Sequence, residues 1–182
     1  MIWSWCATRR EVLRLGLLGA TLGPASPGQA LPDERIIAFR NLHTGEFVEV
    51  VYWARGGFDA DGLRRIAWVL RDHRTDEMHE IDRRLLDVLV ALRTRLGTRE
   101  PFDVISGYRS PATNTWLRRV TTGVARDSLH RLGQAIDVRL PDQPLPAVRE
   151  AAESLRVGGV GYYPRSEFVH VDVGRVRRWE LG

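Results

Sequence analysis

The sequence predicts an α+β domain, with helices grouped early and antiparallel-looking strands grouped late. Two observations carry the prediction. Apolar residues recur at helical spacing between Leu63 and Leu96, and short alternating segments crowd the stretch from Ala135 to Val173. A third sets the domain count: no internal repeat, low-complexity tract or long linker interrupts the chain after residue 31.

In chain order, Arg35–Phe39 and Phe47–Trp53 read as strands joined by the turn signal His43-Thr44-Gly45-Glu46. Asp59 and Asp61 stand where a helix cap belongs, before Leu63, Ile66, Ala67 and Leu70. A polar loop over 72–76 leads to the longest helix. There Ile81, Leu85, Val88, Leu89, Leu92 and Leu96 form one apolar stripe, stopped by Gly97. Phe102–Ser106 is a short strand running into Gly107-Tyr108-Arg109, and Pro111 suits the first turn of a helix reaching about Arg119. Ala135–Leu140 is a strand, Leu145–Leu155 a helix, and Val160–Tyr163 and Phe168–Val173 are strands. Residues 141–146, Pro-rich, form a loop within the domain.

The composition of the 182 residues, 43% hydrophobic and 27% charged, is that of a soluble globular chain. Every one of the 27 basic residues is arginine, so a pI near 9.9 partly reflects guanidinium, and the formal net charge is only +4. The arginines are scattered among acids rather than drawn into a stripe, which argues against a nucleic-acid partner. A weakly basic surface still suits an anionic polymer such as a cell wall.

The first thirty residues read differently. Arg9-Arg10 precede an apolar run from Val12 to Leu22, and the small residues Gly28-Gln29-Ala30 follow. These are the charged region, apolar region and cleavage site of an export signal. The order Thr-Arg-Arg-x-Val-Leu resembles the twin-arginine address, and the apolar run is short for a membrane span. Residues 1–30 are therefore expected to be removed near Ala30, leaving 31–182 as the mature domain with no transmembrane segment. Cys6 is the only cysteine and lies in the discarded part, so the mature chain holds no thiol. Any metal in it must be held by His, Asp or Glu.

Two fragments supply such ligands. In SEFVHVD, Phe168, His170 and Asp172 share one strand face, while Val169, Val171 and Val173 share the other. In SLHRLGQAID, the turn at Gly133 lets the chain fold back so that His130 approaches Asp137. Neighbouring strands then present His130, Asp137 and His170 to one point. Three ligands with a fourth position open is the catalytic form of a zinc site. Glu167, three residues before His170, is placed to exchange a proton with an attacking water as general base and acid.

These motifs resemble the zinc D-alanyl-D-alanine peptidase superfamily. The carriers are Ser-x-His-x-x-Gly-x-Ala-x-Asp from Ser128 to Asp137, the upstream Ser-Gly-Tyr-Arg-Ser loop and the Phe-Val-His-Val-Asp strand. Within it the chain is most similar to exported murein endopeptidases of the MepK type. That likeness extends over most of residues 35–180 and includes Leu-Arg-Asp-His-Arg, Gly-Gly-Val-Gly-Tyr-Tyr-Pro and the final Val-Arg-Arg-Trp.

The resemblance implies a fold of the Hedgehog and D-Ala-D-Ala peptidase kind, with a small antiparallel sheet carrying the metal. It implies zinc as cofactor on His130, Asp137 and His170, and a periplasmic enzyme whose partner is the cross-link peptide of peptidoglycan. It also implies that Arg109 binds the substrate carbonyl or the oxyanion formed from it, with Asn114 a weaker candidate for the same region. Asp172 could orient His170 from behind.

Competing readings stand beside these. Arg109 could brace its loop through Asp103 or another acid, and Glu167 could be a solvent-exposed turn residue. Asp72, His73 and His79 are better explained by capping and surface pairing than by a second metal site. Tyr162 and Tyr163 could wall a cleft or simply pack in the core. At the level of function, a DD- or LD-carboxypeptidase and a zinc-bearing wall-binding protein without catalysis are the alternatives.

Overall fold

A computed structural model describes residues 33–181. The export signal and its cleavage site therefore lie outside the described residues. Eight strands form one sheet: β1 (Arg35–Asn41), β2 (Phe47–Ala54), β3 (Gly57–Phe58), β4 (Phe102–Ser106), β5 (Ala135–Arg139), β6 (Gly159–Tyr163), β7 (Phe168–Asp172) and β8 (Arg177–Glu180). Four helices accompany them: α1 (Ala60–Val69), α2 (Arg83–Leu96), α3 (Pro111–Val120) and α4 (Leu145–Leu155). The sheet order is β3-β2-β1-β4-β5-β7-β6-β8.

The helix ends follow from local chemistry. Asp59, Asp82 and Ser110 accept hydrogen bonds from the first-turn amides of α1, α2 and α3, supplying partners that the helices themselves cannot. Pro111 opens α3, where its missing N–H is no loss. Gly97 closes α2 at φ 65°, a left-handed conformation that favours glycine.

Alternation along the strands decides what faces what. Ile37, Phe39, Phe102, Val104, Ile136, Val138, Val169 and Val171 are buried in a single core with Leu85, Leu86, Leu89 and Leu92 of α2 and with Val148, Ala151 and Ala152 of α4. The opposite face of β5 and β7 carries Asp137, His170 and Asp172, because side chains one residue apart leave a strand on opposite sides.

The α+β class holds, and each strand and helix expected from the sequence forms within about two residues of its expected bounds. The sheet is larger than expected and mixed rather than wholly antiparallel. β1 runs parallel to β4, and β6 parallel to β8. The first arises because α1 and α2 lie between β2 and β4 in the chain and return it to the sheet beside β1. The second involves β8, whose Arg-Arg-Trp-Glu lacks the apolar alternation that marks a strand in sequence.

Candidate metal centre

Antiparallel pairing sets Asp137 of β5 directly opposite His170 of β7. His130 arrives from a short 3-10 helix, Leu129–Leu132, which ends on Gly133 at φ 63° and turns the chain into β5. All three side chains are almost wholly buried. Asp137 Oδ1 lies 2.8 Å from His170 Nδ1 and 3.2 Å from His130 Nε2, and the two ring nitrogens are 3.1 Å apart. Among the described residues this is the only group of three or more His, Cys, Asp or Glu side chains whose ligand atoms converge.

The partners behind the rings fix which nitrogens face inward as acceptors. His130 Nδ1 is 2.7 Å from the Gly107 carbonyl, which can only accept, so this nitrogen donates and Nε2 keeps its lone pair. His170 Nε2 is 3.0 Å from Asp172 Oδ2 and donates to it, so Nδ1 keeps its lone pair. Two imidazole lone pairs and a carboxylate oxygen thus point at one another. Such a group is repulsive without a cation among its members. Their separations are close to the edge of a tetrahedron built on zinc–ligand bonds of 2.0–2.1 Å, about 3.3 Å. The donor set and its spacing fit a zinc ion.

The electrostatics agree. Burial drives His130 down to about 4, helped by the Arg109 guanidinium, so its ring is neutral near pH 7. Burial disfavours the Asp137 anion, but its interactions with His130, Arg109 and His170 outweigh this and hold the carboxyl well below its usual range. Burial also disfavours charge on His170, yet its bonds to Asp137 and Asp172 raise its pKa.

Asp172 is fully buried and accepts from His170, from the Gly159 and Gly174 amides, and from Arg177 at 2.6 Å. Arg109 donates to Ser106 Oγ at 2.7 Å and to the second oxygen of Asp137. It does not brace its loop through Asp103, which pairs instead with Arg40 and Arg139.

Two expected residues are not brought to the cluster. Glu167 takes a left-handed conformation at φ 54°, and its exposed carboxylate pairs with Arg139 at 3.2 Å, outside the cleft that holds the histidines. The proton-exchanging position expected for it is not the one it occupies. Asn114 is buried and donates to the Ala125 and Arg126 carbonyls at 3.2 and 3.3 Å, so it ties down the loop forming one cleft wall and does not line the cleft itself.

The cleft has a volume of about 560 Å³ and runs past the cluster from His43 and Arg74 to Tyr163, Phe168 and Trp179. Tyr163 stacks on Phe168 at 4.4 Å, and Trp179 donates to its hydroxyl while lying 5.1 Å from the His170 ring. Tyr162 points the other way and packs against the core. Asp72, His73 and His79 form no second cluster. Asp72 holds loop amides, His73 stacks on His43, and His79 stacks on Tyr108.

The sequence reading missed three contributors: the Gly107 carbonyl, Arg177 and Trp179. A backbone acceptor carries no residue signal. The Arg and Trp of the terminal Val-Arg-Arg-Trp were visible as a motif, but only the parallel pairing of β8 on β6 brings them to the site. That approach also needs Gly161, where any Cβ would collide with the Trp179 ring.

Comparison with known proteins follows the same lines. The family described as peptidoglycan L,D-endopeptidase MepK matches residues 29–179. The peptidoglycan L,D-endopeptidase MepK of Escherichia coli K12 is 44% identical over 177 residues, covering 95% of this chain and 97% of its own length. The probable peptidoglycan L,D-endopeptidase MepK of Haemophilus influenzae is 42% identical over 177 residues, covering 94% and 95%. A match across the whole domain, on motifs that build a metal-ligand cluster, shows that the chain belongs to the MepK family of metallopeptidases.

Proposed function

We propose that the protein is an exported zinc endopeptidase that hydrolyses L,D peptide cross-links of peptidoglycan during wall growth or remodelling. Its place of action is the periplasm, reached through the twin-arginine signal in residues 1–30. The observation that carries the reading is the convergence of the His130, Asp137 and His170 lone pairs in an open cleft. The relatives' names supply the L,D bond and the peptidoglycan substrate.

His130, Asp137 and His170 would hold the zinc. Gly107 and Asp172 keep the two imidazoles in the tautomers that bind it. Zinc, when bound, supplies Lewis acidity and a water acidic enough to attack near neutral pH. Arg109 sits against Asp137 on the cleft wall, and its Nη1 makes no hydrogen bond among the described residues. That donor is available to the carbonyl oxygen as it gains negative charge, where a preorganised cation stabilises the transition state most. The indole and phenol of Trp179 and Tyr163 form a wall that restricts water and positions peptide beside the metal.

The test is digestion of purified muropeptide dimers by zinc-loaded protein, read by mass spectrometry. Monomers from L,D-linked dimers are expected, with loss of activity on chelation. Release of a terminal D-residue without monomers would make the protein a carboxypeptidase. Binding to sacculi with no fragments released, unchanged in His170→Ala, would make it a binding protein.

A further inference from the structure

The cleft carries three arginines whose circumstances differ. Arg109 is held by Asp137 and Ser106, and Arg177 by Asp172. Arg74 lines the same cleft, yet no carboxylate among the described residues lies within ion-pair distance of it.

Arg74 is nonetheless well placed. Its guanidinium lies 5.2 Å from the Trp116 ring, a cation–π contact that limits where it can swing. Its backbone amide donates to Asp72 Oδ1 at 3.0 Å, and the other oxygen of Asp72 accepts from the Ser110 amide at 2.8 Å. The loop bearing Arg74 is thereby pinned to the loop bearing Arg109. Next to it, His73 stacks on His43 at 3.9 Å, and His43 Nε2 is 3.0 Å from the Ile105 carbonyl, one residue before Ser106. A contiguous set of contacts thus runs from Arg74 along the cleft wall to the metal ligands.

This wall is positive. Burial, reinforced by His43, Arg74 and Arg109, drives His73 down to about 4. Burial penalises a charge of either sign, but the nearby Arg74 and Arg109 guanidinium groups oppose only a further positive charge and attract an anion. An L,D cross-link supplies one. Its scissile nitrogen is borne by a D-configured amino-acid centre, and such a centre carries a carboxyl group on the same carbon. The stem peptide's chain end is a second source of the same group.

We infer that Arg74, steadied by Trp116 and flanked by the His43–His73 stack, forms a carboxylate-binding subsite that reads a free carboxylate of the cross-linked peptide. The inference rests on the endopeptidase reading for its ligand but not for its chemistry. Arg74 would make the enzyme prefer cross-links whose carboxylates are free over those in which they are amidated.

The experiment uses the zinc-loaded protein and three L,D-linked dimers: one with both carboxylates free, one amidated beside the scissile nitrogen, and one amidated at the chain end. For the wild type, one of the two amides should raise KM about tenfold, the low end of what a hydrogen bond to a charged group is worth, as suits an exposed guanidinium. In Arg74→Gln that preference should shrink to within about twofold, and Arg74→Lys should keep part of it. Arg74 is exposed and forms no ion pair among the described residues, so neither change disturbs the core. Calorimetry with the uncleaved single-stem peptides, free and amidated, gives the same comparison without turnover. A preference that survives intact in Arg74→Gln, or a wild type indifferent to both amides, overturns the subsite. A wild type that discriminates in calorimetry but cleaves no dimer leaves the subsite standing and removes the peptidase reading instead.

Discussion

Asp172 touches no solvent, and each of its oxygens is already engaged: one by the Gly159 and Gly174 amides, the other by His170 and Arg177. Burial alone would raise this carboxyl, but those donors hold it far below the ordinary range, so it is an anion behind His170. An anion there increases the electron density that the ring offers at Nδ1. Asp172→Asn keeps the shape and removes the charge, and zinc affinity should fall about 10- to 100-fold. Competition against a chelator of known affinity measures this, and unchanged affinity would show that Asp172 only fills space. Glu167 is the contrasting case. Its pair with Arg139 is exposed, and exposed pairs contribute little. Glu167→Gln should leave kcat/KM within about threefold of wild type, whereas loss of a proton-transferring group costs a factor of about 100 or more. A drop of that larger size would mean that Glu167 leaves Arg139 and enters the cleft during turnover.

Between α1 and α2 the chain runs without regular structure, yet it is anchored by Asp72. This residue is buried and accepts from the Arg74 and Ser110 amides, while its own carbonyl receives the Thr75 and Asp76 amides. Burial opposes its ionisation, but the Thr113, Arg74 and Ser110 donors outweigh it and lower the pKa. Asp72→Ala would orphan these donors and separate the Arg74 loop from the start of α3. A loss of about 2–3 kcal/mol in unfolding free energy is expected by urea titration, and a value below 0.5 would mean that water replaces the carboxylate at no penalty. This element also shows what a sequence can and cannot carry. The stripe of α2 and the alternation of β5 and β7 are visible because burial imposes a period, and that period alone put Asp137 and His170 on one face. The Ser110 partner of Asp72 lies 38 residues away along the chain, and no spacing rule links the two. The same holds for β8, whose place beside β6 is decided by pairing rather than by its own residues, and for Glu167, where a backbone turn at φ 54° redirects a side chain whose distance from His170 looked suitable.

Across the whole molecule, the three candidate ligands come from a 3-10 turn, β5 and β7, elements that meet only once the sheet is assembled. The unfolded chain has no such site, so an ion bound here stabilises the native state alone. At free zinc a thousandfold above Kd, that linkage adds about 4 kcal/mol. For a domain of this size each kcal/mol moves the melting midpoint by about 2–4 °C, so chelation should lower it by roughly 8–16 °C. The core itself, on the far face of the sheet with α2 and α4, contains no ligand, and the metal-free protein should remain folded at 25 °C. His170→Ala separates the two contributions: it should melt at one temperature with or without zinc, while Arg109→Ala, which leaves all three ligands in place, should still respond. A zinc-loaded wild type whose midpoint does not move on chelation would place the ion somewhere other than between these strands.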